Sequence, residues 1–436
     1  MELIVDLHIH SHYSRATSKD CTLEGLYRWG KIKGINIIGT GDFTHPEWFA
    51  EIQDKLVEDG SGLYKLRDDL AAAIDRELPP SVRSELIRFI PTAEIATIYK
   101  KGDKVRKLHQ LVVMPDFKSV SELNARLDRI GNLKADGRPI LGLDSKELLR
   151  HTLEVNPDSL YIPAHIWTPW FGMFGSKSGF DSIEEAYEEL TPHIRAIETG
   201  LSSDPFMNAR ISNLDKVSIT SHSDAHSPQK LGREATVMKT DPTFNGVIGG
   251  IAAGDDRLVG TIEFFPEEGK YHSDGHRACG VRFTAAETKA HSGICPKCAK
   301  PLVVGVEYRV GELADRDIPT GAGSDIQAAG RKHQTEYIVP LAEVLAELRG
   351  TKTTSGKAVM GDYHGIIASL GSEFAILRSV PLEAIHEHSP LVRLAVERIR
   401  RAEVHRDPGY DGVFGTIKVF KNAEDRAATT SQLSLL

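Results

Sequence analysis

The sequence of 436 residues has few cysteines, no long apolar run and no basic leader. Four cysteines are too few for a disulfide scaffold in a chain of this length. Because no run of about 18 apolar residues occurs, we expect neither a membrane span nor a membrane partner. The N-terminal residues lack the basic start and apolar stretch of a secretory signal, so we expect a cytoplasmic protein.

An excess of positive charge is also absent, since the formal net charge is −8. A protein that binds nucleic acid through its overall charge should be basic, so any such contact must use local patches. Hydrophobic residues make up 40% and charged residues 26%, which is usual for a globular chain and excludes a largely disordered one.

Short apolar segments alternate with amphipathic segments over residues 1–230. This alternation predicts parallel βα units, and so many units in this length favour an α/β barrel. After the barrel we expect a connection over 231–269 and a turn-rich segment with three cysteines over 270–310. A mainly helical C-terminal region over 311–421 and a flexible tail over 422–436 should follow.

Asp6-Leu7-His8-Ile9-His10 is the most informative segment of the chain. Side chains at alternate positions of a strand share one face, so His8 and His10 would point the same way and could hold one cation. A surface strand with outward polar residues is the alternative.

Polar residues of the same types recur at the ends of other predicted strands. Buried polar groups without partners are costly, and the carboxyl ends of barrel strands meet on one face, so together they predict a multinuclear metal site. These residues are Asp42, His45, Glu94, His109, His165, Asp224 and His226.

A second cluster combines His276-x-x-Cys279 with Cys295-x-x-Cys298, and 15 residues separate the two pairs. This spacing predicts one tetrahedral structural zinc ion, which the four side chains would surround completely. His272 and His291 lie near enough in sequence to replace His276, and a chance grouping of cysteines is the other alternative.

The motifs Asp-x-His-x-His, Gly-Asp with a nearby His, and Ser-Asp-x-His resemble those of the PHP (polymerase and histidinol phosphatase) superfamily. The resemblance implies a distorted seven-stranded (β/α) barrel in which two or three divalent ions (Zn, Mn or Mg) hydrolyse phosphoesters. It implies a catalytic role for Glu94, Asp224 and His226. It also implies the metal ligands His8, His10, Glu94, His109, His165, Asp224 and His226, with either Asp42 or His45.

One position departs from the superfamily's pattern. Many members carry a ligand histidine eight residues after the first, where this chain has Ala16. The presence of a third metal ion therefore depends on His12 or Asp20 as a replacement.

The whole chain resembles the endonuclease Q family, which joins a PHP barrel to a zinc-binding segment and a helical C-terminal region. The supporting segments are 6–15, 39–46, 198–205, 221–227, 271–279 and 295–302. The resemblance implies a DNA repair endonuclease that cuts 5′ to hypoxanthine, uracil or xanthine and also at abasic sites. Its partner would be double-stranded or single-stranded DNA, which predicts a location at the nucleoid.

Two kinds of segment could contact this DNA. Basic candidates are Lys100, Lys101, Lys104, Arg106, Lys107, Arg331 and Lys332, although a run of charges is more often a solvated face. Aromatic candidates are Trp167, Trp170 and Phe171, which follow His165 directly. They would form either a stacking surface or a hydrophobic lid over the barrel.

The chain ends in Gln432-Leu433-Ser434-Leu435-Leu436, which resembles the motif by which bacterial proteins bind the sliding clamp. The resemblance implies clamp contacts from Gln432, Leu433, Leu435 and Leu436, and a bacterial source. A frayed terminus is the alternative.

Two other functions compete with the nuclease. A PHP-type small-molecule phosphatase would need only the barrel, which leaves the zinc segment and the helical region unexplained. A non-catalytic DNA-damage binding protein would not need so complete a ligand set.

Overall fold

A computed structural model describes residues 1–317, 326–328, 331–422 and 425. It has an α/β fold with a mixed central sheet and a helical C-terminal region. Nine strands form this sheet, in the order Ile326–Ala328, Arg331–Tyr337, Leu258–Glu263, Ala235–Lys239, Glu2–Asp6, Ile37–Gly39, Arg88–Ile90, Tyr64–Leu66, Leu56–Glu58. In the described part of the chain, no helix combines the length and apolar character needed to cross a membrane.

Smaller sheets complete the strand content. One has four strands, in the order Ile140–Leu141, Thr92–Lys101, Lys104–Val113, Leu160–Pro163. Three have two strands each: Ala196–Glu198 with Ser218–Thr220, Asp274–His276 with Val281–Phe283, and His405–Asp407 with Thr416–Lys418. The strands that we expected to form one barrel are thus divided among several hydrogen-bonded sheets. The count of seven barrel strands stays a prediction.

Strand direction differs from the expected all-parallel arrangement. Glu2–Asp6 pairs in parallel with Ile37–Gly39, which pairs in parallel with Arg88–Ile90, as predicted. Thr92–Lys101 and Lys104–Val113, however, form an antiparallel hairpin. Gly102 sits in its two-residue turn with φ of 61°, a conformation that glycine adopts without strain.

Residues 231–269, expected to be a connection, are built into the central sheet. The strand Ala235–Lys239 pairs antiparallel with both Glu2–Asp6 and Leu258–Glu263. The helix Phe244–Ala253 links these two strands. Because the strand beside Glu2–Asp6 comes from this segment, it helps to position the histidines that follow Asp6.

Helices flank the sheets. In the first 317 residues they are Leu23–Lys33, Pro46–Lys55, Asp68–Glu77, Pro80–Arg83, Phe117–Leu127, Ser145–Val155, Ile183–Tyr187, Pro205–Asn208, Phe244–Ala253, Ala285–Ala290 and Val306–Leu313. Short 3-10 turns span Leu133–Ala135, Glu188–His193, Ser212–Lys216, Pro228–Lys230, Pro266–Glu268 and Arg277–Cys279. The first helix has a cap at each end, because the Thr22 side chain accepts a hydrogen bond from the backbone N–H of Gly25 and Gly34 has φ of 82°.

The C-terminal region is mainly helical, as predicted. Its helices are Leu341–Leu348, Lys357–Leu370, Glu373–Arg378, Leu382–His388 and Pro390–Arg400. Buried Glu373 joins this region to the first helix, since it accepts hydrogen bonds from Lys33 Nζ at 2.8 Å and from the Tyr363 hydroxyl at 2.6 Å. Removing one partner of such a buried pair costs about 3–5 kcal/mol, so we expect the contact to keep the two regions together.

Candidate metal centre

Six potential metal-binding side chains from segments that are distant in sequence meet at one place. His8 and His10 follow the strand Glu2–Asp6, and His165 follows Leu160–Pro163. Asp224 follows Ser218–Thr220, and the backbone N–H of His10 donates to the Ala225 carbonyl at 3.0 Å. The remaining two, Glu94 and His109, lie on the antiparallel hairpin. We call His8, His10, Glu94, His109, His165 and Asp224 the strand-end cluster.

The donor atoms of this cluster fall into two groups that share Glu94. One group contains His8, His10, Glu94 and Asp224, and the other contains Glu94, His109 and His165. Within each group the donor atoms lie no more than 4.8 Å apart. A carboxylate common to two groups can bridge two cations, which is the arrangement of two-metal hydrolytic sites.

The hydrogen bonds of His8 direct one ring nitrogen into the cluster. His8 Nδ1 lies 3.0 Å from both carboxylate oxygens of Glu198, so this nitrogen carries the proton and donates. His8 Nε2 is also buried, and it has no hydrogen-bond partner. It lies 3.6 Å from Glu94 and 3.8 Å from Asp224, and a cation between these groups would satisfy all three.

His10 repeats this pattern with Asp42 as its support. His10 Nδ1 lies 3.1 Å from Asp42 Oδ1, and the hydroxyls of Ser11 and Ser14 donate to Asp42 Oδ2 at 2.7 and 2.8 Å. His10 Nε2 therefore faces Asp224 Oδ1 at 3.0 Å with a lone pair against a carboxylate. This contact is favourable only when a proton or a metal ion lies between the two atoms.

Glu94 occupies the centre of the cluster. Its Oε1 lies 2.5 Å from His109 Nδ1 and 3.1 Å from His165 Nε2. Its Oε2 lies 3.3 Å from His10 Nε2 and 3.0 Å from Arg138 Nη1. The glutamate is fully buried, so this ring of cationic and imidazole groups is what keeps it charged.

The pKa values of the cluster follow its charges. Burial opposes ionisation of Glu94, but His109, His8 and Arg138 hold its pKa well below the usual range. Burial likewise opposes protonation of His8, but Glu198 and Glu94 raise its pKa well above the usual value. His109 is different, because burial outweighs Glu94 and lowers its pKa to about 4. The ionised carboxylate of Glu94 and the neutral ring of His109 suit a divalent metal ion, and at His8 such an ion would take the place of the proton that the neighbouring carboxylates favour.

Backbone strain is concentrated in the same place. Asp42, His165 and Asp224 have φ of 49°, 30° and 47°, values that residues other than glycine rarely adopt. A Cβ atom on Gly200 would lie only 2.3 Å from Cβ of His165, so only glycine fits at position 200. Strain of this kind persists where the surrounding structure fixes it, which is common at functional sites.

Several predicted ligands lie beside the two donor groups and not within them. The oxygens of Asp42 are occupied by His10 and the two serines, and His45 stacks on Tyr13 with ring centroids 4.3 Å apart. The ring of His226 is 4.5 Å from that of His10, but its Nδ1 bonds to the Asp224 carbonyl at 2.9 Å. His12, considered as a replacement at the position of Ala16, bonds instead to the Cys21 carbonyl at 3.2 Å.

Two further residues contribute to the cluster and were not singled out from the sequence. Glu198 supports His8 and also accepts a hydrogen bond from the backbone of His165 at 2.8 Å. Its sequence signal was available, because Glu198 ends a predicted strand as Glu94 does. Arg138 had no such signal. It reaches Glu94 because Gly137 packs so closely that a Cβ atom there would lie 2.3 Å from Asp42 Oδ2.

The predicted zinc ligands converge as a second group, which we call the cysteine cluster: His276, Cys279, Cys295 and Cys298. Their donor atoms also lie within 4.8 Å of one another, and His276 Nδ1 is 3.7 Å from Cys298 Sγ. Burial opposes ionisation of Cys295, but backbone N–H groups of Lys297 and Cys298 lower its pKa. His291 stacks on Phe283 instead, with centroids 4.8 Å apart.

The predicted basic DNA contacts divide into free and engaged side chains. Lys100 and Lys104 are exposed. Lys101 pairs with Glu188 at 2.6 Å, and the Arg106 guanidinium lies 3.9 Å from the centroid of the Phe180 ring. Lys101 and Arg106 therefore interact with other side chains of the protein and are poorly placed to contact phosphates.

The aromatic candidates differ in the same way. Trp167 is only 1% exposed and donates to Asn208 at 2.8 Å, so it belongs to the hydrophobic core and not to a stacking surface. Trp170 is 43% exposed. The side chains of Arg331 and Lys332, and all of Gln432, Leu433, Leu435 and Leu436, lie outside the described residues.

Comparisons with known proteins match both parts of this architecture. A family model described as the MJ0043 C-terminal domain matches residues 340–403, within the helical region. The uncharacterised protein MJ0043 of Methanocaldococcus jannaschii is 30% identical over 285 residues, which cover 61% of this chain and 34% of that protein. The chain therefore spans about a third of that relative's length.

Two solved structures match nearly the whole chain at 28% identity. The lesion-specific endonuclease PfuEndoQ from Pyrococcus furiosus has a TM-score of 0.81, and the match covers 98% of this chain and 99% of that one. Endonuclease Q in complex with a 27-mer duplex, with an abasic lesion at its active site, has a TM-score of 0.80 and coverage of 98% for both chains. The resemblance to endonuclease Q that the sequence motifs predicted is thereby confirmed over the full length of the fold.

Proposed function

We propose that this chain is a metal-dependent endonuclease that cuts damaged DNA. Its substrates are strands that contain hypoxanthine, uracil, xanthine or an abasic site, and the cut falls on the 5′ side of the lesion. The observation that carries the proposal is the strand-end cluster, in which the unpartnered Nε2 of His8 faces two carboxylates. The match to a lesion-specific endonuclease directs this hydrolytic chemistry to DNA.

The residues of the cluster would hold two divalent cations, one in each of the two donor groups that share Glu94. Bound at such a site, these ions supply a water nucleophile at neutral pH and neutralise charge on the scissile phosphate. Glu198 and Asp42 hold the Nδ1 protons of His8 and His10, so that both Nε2 lone pairs point inward. Their role is to fix the tautomers of the two histidines.

Arg138 binds the scissile phosphate in this proposal. Its side chain is 31% exposed at the edge of the cluster while its guanidinium reaches Glu94. The exposed part of the guanidinium could donate to phosphate oxygens, a geometry that suits arginine. Asp136 positions this segment, because its carboxylate accepts from the backbone of Arg138 at 3.1 Å and lies 3.2 Å from Arg15.

We also propose that the first part of the chain is a distorted PHP-type barrel of seven strands, and that the cysteine cluster would hold one structural zinc ion. Exposed Lys100, Lys104 and Trp170 contact DNA outside the metal centre.

A nicking assay tests the function. The purified protein, treated with EDTA and then supplied with Mn²⁺, Mg²⁺ or Zn²⁺, should cut a duplex that contains one hypoxanthine and leave the undamaged duplex intact. Hydrolysis of a phosphate monoester such as p-nitrophenyl phosphate without any nicking would favour a phosphatase. Lesion binding without hydrolysis of either substrate would favour a non-catalytic damage-binding protein.

The C-terminal pentapeptide tethers the enzyme to a bacterial sliding clamp in our proposal. A short apolar peptide on a flexible segment can enter a pocket while it keeps the enzyme near DNA. Deletion of residues 432–436 should abolish co-elution with the clamp and leave nicking of short oligonucleotides unchanged. Equal clamp binding by the full-length and shortened proteins would contradict the assignment.

A further inference from the structure

Four aromatic side chains form a series that leads away from the strand-end cluster, and we call Phe171, Trp170, Tyr271 and Phe414 the aromatic track. The ring of Phe171 lies 4.4 Å from that of the cluster residue His109. Trp170, its neighbour in sequence, meets Tyr271 edge-on with ring centroids 5.6 Å apart. The backbone of Gly412, two residues before Phe414, donates to the carbonyl of Lys270 at 3.0 Å.

The track is assembled from three separate segments. Trp170 and Phe171 belong to the loop after His165, Tyr271 begins the segment that contains the cysteine cluster, and Phe414 lies between the strands His405–Asp407 and Thr416–Lys418. Single exposed aromatic residues are ordinary on protein surfaces. Four aromatic residues that three segments bring together beside a candidate metal centre indicate a specific role.

Two of the rings are exposed to solvent. Phe414 is 65% exposed and Trp170 is 43% exposed. Phe171 is held with φ of 66°, a conformation unfavourable for an aromatic residue, by a backbone hydrogen bond in which His109 donates to its carbonyl at 2.9 Å. The backbone therefore bears strain to keep this loop in place beside His109.

Positive charge accompanies the rings. Lys270 Nζ lies 4.6 Å from the centroid of the Phe414 ring, and Lys107 Nζ lies 5.8 Å from that of Phe171. Aromatic faces beside lysine side chains are the features that bind unpaired nucleotides, because bases stack on the rings and phosphates meet the cations. An apolar protein partner would not need a lysine at either end of the surface.

From this geometry we propose that the aromatic track is a stacking surface for unpaired DNA bases that flank the cut. The inference rests on the proposed nuclease function, and it adds Tyr271, Phe414 and Lys270 to the DNA-binding residues. A lesion must leave the base stack to be read, which also leaves its neighbours without stacking partners. The track replaces that lost stacking at the mouth of the metal centre.

Substitutions at Phe414 test the proposal, because so exposed a side chain contributes little to the packing of the fold. Phe414→Ala should weaken the binding of single-stranded DNA about tenfold. Phe414→Leu should weaken it as much, because leucine keeps an apolar surface but has no π face. Phe414→Trp should retain the affinity of the unaltered protein. Val57→Ala, at a 45% exposed apolar residue on the strand Leu56–Glu58, is the matched control and should bind as the unaltered protein does.

The readout is the fluorescence of single-stranded oligonucleotides that carry 2-aminopurine, whose emission is quenched by stacking. The unaltered protein should quench it, and both Phe414→Ala and Phe414→Leu should lose most of the quenching. In nicking assays the same two variants should raise KM and leave kcat close to that of the unaltered enzyme.

The binding measurement separates this inference from the proposed function, since it requires no cleavage. If the protein quenches 2-aminopurine but cuts no lesion, the aromatic track is supported and the proposed nuclease function is contradicted. Unchanged affinity and quenching in both Phe414→Ala and Phe414→Leu would overturn the track. Weak binding by the alanine variant with normal binding by the leucine variant would also overturn it, in favour of an apolar contact.

Discussion

The strand-end cluster and the cysteine cluster each bring together at least four donor side chains, but from very different lengths of chain. The cysteine cluster takes all its donors from residues 276–298, whereas His10 and Asp224 are 214 positions apart. A ligand set from one short segment needs the metal to organise that segment. A set from many strand ends can be organised by the fold itself.

Their surroundings differ accordingly. The histidines of the strand-end cluster are supported by the buried carboxylates of Glu198 and Asp42, and strained backbone accompanies them. In the cysteine cluster Cys298 is exposed and His276 and Cys279 are half-buried. This difference is what we expect if the strand-end cluster supports the proposed hydrolysis and the cysteine cluster holds a structural zinc ion.

The largest effect should follow from Asp224→Asn, which removes one charge from the strand-end cluster. We expect nicking to fall at least about 1,000-fold, because several kcal/mol of charge stabilisation are lost from the transition state. Lesion binding should be nearly unchanged. Single-turnover rates at saturating metal measure the loss, with Asp158→Asn at an exposed aspartate as the control. Full activity in the Asp224 variant would remove this residue from the catalytic set.

The next largest effect concerns the other centre. Cys298→Ser should lower the zinc content by one ion per chain and unfold the segment around it, because structural zinc contributes directly to folding. Metal analysis and hydrogen exchange over residues 270–305 measure both consequences. Cys21→Ala, at a buried cysteine outside the cluster, should leave the zinc content unchanged. Equal zinc content in the two variants would contradict the proposed ligand set.

A smaller effect is expected from Glu198→Gln, which tests whether support from buried carboxylates distinguishes the two centres. The amide that replaces the carboxylate could still accept the Nδ1 proton of His8 but would lack the charge that makes Nε2 a strong donor. We expect a 10- to 100-fold loss of metal affinity or activity, as measured by titration of activity with Mn²⁺. If the variant titrates as the unaltered enzyme does, the carboxylate has no role in tuning the metal.

The smallest effect should come from Glu234, whose two carboxylate oxygens are buried without a partner. Burial, with Glu263 as the next contribution, raises the pKa of Glu234 well above its usual value. The folded protein thus favours the protonated acid, and stability falls as the pH rises above the unfolded value near 4.5 towards the folded one.

Glu234→Gln should therefore stabilise the fold at pH 8 and change it little near pH 4. We expect a gain in the free energy of unfolding at pH 8, because glutamine cannot ionise and so does not incur the cost of a buried charge. Urea unfolding at both pH values gives the difference, with exposed Glu383→Gln as the control. A variant that is less stable at pH 8 would show that the ionised carboxylate has a partner in the folded protein.

The sequence predicted the ligands whose position at a strand end is visible in the local pattern. His8 and His10 follow from alternation in a strand, Glu94 and Asp224 from their place after apolar runs, and Cys295 and Cys298 from their spacing. Arg138 could not be found in this way, because it reaches Glu94 only through the close packing of Gly137. No local periodicity carries that information.

The predicted direction of the strand Lys104–Val113 was wrong for a different reason. Residues 100–107 were interpreted as a basic run, although Gly102-Asp103 lies between two segments of strand-forming residues. A two-residue turn with glycine favours a hairpin, so the antiparallel pairing had a signal that the charges obscured. The sequence left a stacking surface and a hydrophobic lid open for Trp167, because a loop with several aromatic residues does not reveal which ring lies in the core.

That hairpin also bears on the order in which the metal centre can form during folding. Glu94 and His109 are 15 residues apart and come into contact as soon as the hairpin closes, which requires little loss of chain entropy. His10 and Asp224 meet only after a loop of about 200 residues has been closed, and contacts of such long range form slowly. The contact between Glu94 and His109 is therefore available early, His165 joins it from 71 residues away, and the contact between His10 and Asp224 is completed last.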